Sequence, residues 1–260
     1  MSEISAVTAV LAAHSPHLSF PRGAANEEIA LRWIHFVAGV MWIGLLYFFN
    51  LIGRPTLTDL DSTTRLKVFP VLISRAMWWF RWSAVVTVLV GLRYFTIILQ
   101  ADAVNAGHPN LLWEWFGLWL LTWAIAYVFL YPLQMPWKGA MDKIPLRALL
   151  ITIVIVAASW VTLELNATPE SSNSHLCIAV GGGLGFIMLM NVWGIVWRAQ
   201  KRLIQWSRES ATSGTPMPKE AEGLRNWGHF AARVAFYVSF PMLFFMGAAE
   251  HYPFLSGILR

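Results

Sequence analysis

The sequence predicts an all-α fold: an integral membrane bundle of six transmembrane helices with both termini periplasmic. Three observations lead there. Hydrophobic residues make up 57% of the 260-residue chain and charged residues only 13%, about half the charged share of an ordinary soluble domain. That leaves too little polar surface to cover a globule in water. Six apolar runs, each near the ~20 residues needed to cross a bilayer's hydrocarbon, are separated by polar stretches. Lys and Arg concentrate in alternate stretches, so the net charge of +5 belongs to membrane topology and no nucleic-acid partner is expected.

A periplasmic tail, residues 1–29, comes first. It has Glu3 ahead of a weak apolar run and lacks the basic start of a secretory signal. The six-helix transmembrane domain, residues 30–260, then has spans at about 30–52, 78–99, 111–131, 146–165, 176–197 and 230–249. Each is bracketed by Pro, Gly, Asn or charged residues that a helix would not carry through lipid. Span 1 ends before Arg54, and the stretch after it also carries Arg65, Lys67 and Arg75. Span 2 opens on Trp78-Trp79, at the depth where an aromatic belt sits. The connection after span 3 carries Lys138, Lys143 and Arg147. The one after span 5, from Arg198 to Gly228, contains Ser213-Gly214-Thr215-Pro216 and Pro218, which predicts a flexible surface loop. The stretches from Gln100 to Asn110 and from Asn166 to His175 hold no Lys or Arg. The positive-inside rule therefore makes the basic stretches cytoplasmic and the protein a multi-pass resident of a bacterial inner membrane.

That topology sorts the histidines. His14, His17, His35, His108, His175 and His251 fall toward the outer face with Glu114, Glu164 and Glu250, and only His229 falls inside. Groups able to bind metal or move protons thus gather on one face. The bland alternative is chance placement at interfacial helix ends.

The most informative stretch runs from Arg32 to Gly44. At 3.6 residues per turn, His35 shares a face with Arg32, Ala38, Gly39 and Trp42. Small residues beside a histidine leave room for a flat ligand, Trp42 offers a wall to stack on, and Arg32 lies one turn outward, where it could pair with a propionate. These are the parts of a b-type haem site. An ionisable residue inside a span is a functional candidate by default, whereas the structural alternative has Ala38 and Gly39 permitting close packing and His35 hydrogen-bonding across the bundle. A second ligand to the haem iron must come from another helix: His251 is the first choice and His175 the second. Arg93 in span 2 either snorkels to the headgroups or meets a propionate.

Other features carry less. Cys177 stands alone, which excludes an internal disulfide and a covalently attached haem. His14 and His17 with His108 or His175 offer imidazoles to copper, an unlikely alternative because Cys, Met and carboxylate ligands show no fixed spacing. Gly181-Gly182-Gly183 and Gly185 lie in an apolar run with no preceding strand, so they predict a helix-packing surface and no phosphate loop. No Ser-His-Asp set, paired carboxylates or nucleotide motif is visible.

Several motifs in order carry a resemblance. Arg32 through Gly44, Trp79-Phe80-Arg81-Trp82, Asn191-Val192-Trp193 with Gln200-Lys201, and Tyr237 through Pro253 resemble the membrane domain of bacterial membrane-bound urate hydroxylases, the urate oxidase N-terminal domain family. The resemblance covers the chain from about Ala30 to Pro253. It implies a membrane redox protein that passes electrons to a cytochrome c domain, a domain this chain does not include. The family usually has a histidine and a glutamate flanking the span 2 aromatic motif, where Trp78 and Ser83 stand here. Its His-Asn pattern before the span 6 tyrosine is replaced by Val234, Ala235 and Phe236.

Three functions are therefore expected in competition. One is a haem-b electron-transfer subunit, with His35 and His251 on the iron and Arg32 near a propionate, serving a periplasmic cytochrome c or a larger membrane redox complex. Another is an active urate-oxidising enzyme with an external cytochrome c. The last is a cofactor-free structural subunit. All are embedded in membrane lipid.

Overall fold

The computed structural model describes residues 24–136 and 143–255, so His14 and His17 lie outside the described residues. Of its two compact units, residues 1–30 hold the described start of the first helix, and residues 31–260 contain the bundle. Among the described residues, six helices are long and apolar enough to cross a membrane and there is no strand. The protein is a multi-pass membrane protein.

Helix α1 (Ala24–Tyr47) passes through a π-helical turn (Phe48–Gly53) into α2 (Arg54–Asp59), which Pro55 opens in its first turn. Asp61 then caps α3 (Ser62–Asn105), its carboxylate accepting from the backbone N–H groups of Thr63 and Thr64 at 2.9 and 3.0 Å. Hydrogen bonds from the Thr64 side chain and from these backbone groups hold that carboxyl below the usual range. Helix α4 is Leu111–Leu133 and α5 is Ile144–Asn166. Ser172 caps α6 (Asn173–Asn191), which runs through a second π-helical turn (Val192–Val196) into α7 (Trp197–Ser213). Gly214, at φ +70°, ends α7 with its N–H on the Ser210 carbonyl. Helix α8 is Glu220–His251.

These helices outrun the spans expected from hydropathy. The stretch from Arg198 to Gly228, expected as a flexible loop, is instead helical except for residues 214–219. The polar residues of α7 lie on one side while Ala199, Leu203 and Ile204 are buried, so amphipathic periodicity decides the matter and the Gly-Thr-Pro signal marks only its end.

Helix α6 is the centre: 72% of the most apolar window in its run is buried, against 17% for α5. Helices in lipid associate through close packing and hydrogen bonds, since lipid tails are as apolar as Leu. Along α4, Trp115, Trp119, Trp123 and Tyr127 recur every four residues and point at α6. The Trp119 Nε1–H donates to the Ala179 carbonyl at 2.7 Å and the Tyr127 hydroxyl to the Met190 carbonyl at 3.0 Å. Gly183 receives the Trp123 indole so closely that a Cβ there would sit 1.7 Å from Cε2. Gly181 faces α8, where a Cβ would come 3.1 Å from that of Phe245. The glycine run is thus a packing surface, as the sequence predicts. On the outside, Ile153, Val156 and Trp160 of α5 and Val128 and Phe129 of α4 are exposed, a face suited to lipid.

Candidate functional site

The face of α1 predicted from its periodicity is the one turned inward. Ala38, Trp42 and Leu46 are buried, while Trp33, Phe36, Val37 and Val40 are exposed. His35 and Gly39, one turn apart, both meet Thr87 of α3: a Cβ on Gly39 would lie 3.7 Å from Thr87 Cγ2, and His35 Nδ1 is 2.9 Å from the Thr87 carbonyl oxygen. A carbonyl oxygen can only accept, so Nδ1 carries the proton and Nε2 keeps its lone pair. Gly91, one turn along α3, clears the space for the ring: a Cβ there would fall 2.8 Å from His35 Cε1. Trp42 lies two turns further in on the same face, and its buried Nε1–H has no hydrogen-bond partner among the described residues.

Arg32 stands one turn outward. Its Nη2 donates to Glu250 Oε2 at 2.5 Å, its guanidinium lies 5.9 Å from the centre of the Tyr94 ring, and the Tyr94 hydroxyl donates to Glu250 Oε1 at 2.9 Å. This cluster ties α1, α3 and α8 together at one end of the bundle. His251 follows Glu250 at the last position of α8, exposed, and has no hydrogen bond or ion pair among the described residues. Arg93 is exposed on α3 and its Nη1 donates to Thr96 Oγ1 at 3.3 Å.

His175 belongs to a different cluster, fully buried. Its Nδ1 is 3.1 Å from Asp102 Oδ2, the same oxygen that accepts from the Ser172 N–H at 2.8 Å and the Ser172 hydroxyl at 2.9 Å. The ring lies between Trp115 and Phe95, with centroids at 4.9 and 6.0 Å, and its Nε2 has no hydrogen-bond partner among the described residues. On α3, Asp102 is eleven residues beyond Gly91, roughly 16 Å at the rise of a helix. The structure therefore does not bring His35 and His175 together.

Among the described residues no three of His, Cys, Asp and Glu converge on a common point. What converges is pairwise: an imidazole held through Nδ1 by a fixed acceptor, once by a carbonyl and once by a carboxylate. Such a contact behind the ring fixes the tautomer and aims Nε2, the usual arrangement around a ligating histidine. Sequence reading missed Asp102, Thr87, Gly91 and Tyr94. Asp102 had a signal, as a lone carboxylate at the end of a long apolar run, whereas Thr87, Gly91 and Tyr94 acquire meaning only from which helix α3 packs against.

No family model matches the chain, and no solved structure matches it. A protein of Schizosaccharomyces pombe described as an uncharacterized amino-acid permease is 27% identical over 131 residues, covering 47% of this chain. The matched part spans 24% of that relative's length.

Proposed function

We propose that the protein is a haem-b-bearing electron-transfer subunit of a larger membrane redox complex, similar to the membrane domain of urate hydroxylases, in which His35 and His251 would hold the haem iron. The observation that carries this reading is the His35 imidazole, fixed by the Thr87 carbonyl through Nδ1 with Nε2 left as a lone pair. The fixed His35 ring would offer Nε2 to the iron, the one ligating position that the described geometry supports directly. When bound, haem supplies a one-electron couple. The chain's own residues do the rest. Thr87 holds the ring orientation, Gly91 makes room for it, and Ala38, Trp42 and Leu46 keep water from the inner side. Arg32, held by Glu250, to which the Tyr94 hydroxyl also donates, would pair with a haem propionate. A periplasmic cytochrome c fits as electron partner, since the cluster lies at the bundle end free of basic connections.

The test is a reduced-minus-oxidised spectrum with a pyridine haemochrome assay on protein purified from haem-replete cells. His35→Ala should lose the haem signal and still insert in the membrane. Retained haem removes His35 from the ligands, and a wild-type protein without haem sinks the reading.

A second reading, a transport protein, is favoured by the similarity to the permease. Its structural support is the pair of π-helical turns beside buried Asn50 and Asn191, because π-helical breaks concentrate at functional sites. Amino-acid uptake by proteoliposomes, with no haem present, would select it.

A further inference from the structure

The opposite end of the bundle holds cations of two kinds. Some are satisfied. Arg81 lies 3.9 Å from the Trp197 ring centre and 5.5 Å from that of Trp193, and Arg147 donates to the Leu133 carbonyl at 2.9 Å while lying 3.9 Å from the Phe230 ring centre. Arg54, His229 and Arg233 differ. Arg54 Nη1 meets His229 Nε2 directly, Arg233 follows His229 by one helical turn, and both guanidinium groups act electrostatically on the imidazole and on each other. Among the described residues no carboxylate pairs with any of the three.

This convergence is built by the fold. The π-helical turn ahead of Arg54 adds residues to one turn and so rotates α2, which Arg54 opens, relative to a regular helix. Buried Asn50 within the turn donates to the Leu46 carbonyl at 2.9 Å and to the Ala232 carbonyl of α8 at 3.4 Å. That contact fixes α8 against the turn, with His229 and Arg233 flanking Ala232. Two guanidinium groups brought together without an anion repel one another. Forked N–H donors around one point match the oxygens of a phosphate.

We propose that Arg54, His229 and Arg233 form a binding site for a phosphate-bearing anion at the basic end of the bundle, supplied by an anionic phospholipid headgroup or by free phosphate. The site stands independently of the haem reading, since it shares no residue with it.

The test uses the full chain in nanodiscs of phosphatidylcholine alone and of phosphatidylcholine mixed with phosphatidylglycerol. Native mass spectrometry reads retained phosphatidylglycerol, and phosphorus NMR reads binding of added inorganic phosphate in the phosphatidylcholine discs. Arg54→Gln with Arg233→Gln should lower whichever binding the wild type shows by about tenfold or more, and Lys201→Gln with Arg202→Gln on α7 should leave it unchanged. Retention of phosphatidylglycerol without phosphate binding assigns the site to lipid, and phosphate binding assigns it to the soluble anion. Equal binding by wild type and the Arg54/Arg233 variant, loss of equal size in the α7 variant, or no binding in either arm overturns the proposal. Should the glutamine variant fail to insert, Arg54→Lys with Arg233→Lys keeps the charge and removes the fork. It should bind the same ligand several-fold more weakly, and undiminished binding overturns the site.

Discussion

Two helix seams in this bundle are built the same way and end differently. Between α1 and α3, Gly91 accepts the imidazole of His35, and between α4 and α6, Gly183 accepts the indole of Trp123. In each a glycine lets a flat ring lie against a helix backbone. At Gly183 the ring comes from the protein's own core, and Trp119 and Trp123 are fully buried, so the slot is closed. At Gly91 the ring is half-buried and ionisable, its neighbours Trp33, Phe36 and Val37 are exposed, and one ring nitrogen is held while the other has no hydrogen-bond partner among the described residues. A small residue in a membrane helix therefore does not mark a ligand slot by itself; what fills the slot decides.

Substitutions can break this contrast at either seam. The largest effect should follow Gly183→Ala: a Cβ 1.7 Å from Trp123 Cε2 leaves no solution but expelling the indole. Loss of about 3 kcal/mol or more is expected, at or above the upper end for overpacking, read as thermal unfolding in detergent, and an unchanged melting temperature would refute the closed seam. Next comes Asp102→Asn, which replaces the carboxylate that accepts from both His175 and Ser172. Removing one partner of a buried pair costs about 3 kcal/mol, and the same melt should show it with any haem content preserved, because this cluster is remote from His35. Gly91→Ala acts on the other seam. With a Cβ 2.8 Å from Cε1 the imidazole must tilt, and haem retention should fall about tenfold, the effect typical of disturbing a ligand's orientation, while the fold survives. The smallest effect is expected from Arg32→Gln. Both partners of the Arg32–Glu250 pair are partly exposed, at 44% and 34%, so the loss should stay below about 1 kcal/mol, and its sharper readout is the haem spectrum.

Much of the fold was legible. The six spans follow from length and composition, and the inward face of α1 follows from its period, because a helix repeats its contacts every three to four residues whatever it packs against. Gly181 to Gly185 read correctly as a packing surface for the same reason. The Arg198 to Gly228 stretch did not, since turn residues near its middle outweighed the amphipathic pattern of α7 in a reading by composition. Of the candidate site, His35, Gly39 and Trp42 were visible on one helix. Thr87 and Gly91 were not, because nothing in α3 says which of its faces meets α1. Hydropathy was equally silent on rank: the most apolar windows of α5 and of the run holding α6 have similar mean hydropathy, 2.2 and 1.9, yet one faces outward and the other forms the core, since a lipid tail and a neighbouring helix make the same demand on an apolar side chain.

The sequence by itself determined that the chain crosses a membrane six times and which residues share a face on each helix, because span length and helical period are properties of a single segment. Only the tertiary structure decided that His35 is held by Thr87, that His175 is held by Asp102, that Arg32 is tied to Glu250, and that Arg54 and Arg233 have no carboxylate partner among the described residues. Those are pairings between segments far apart in the chain, and they are set by which helices touch and at what height.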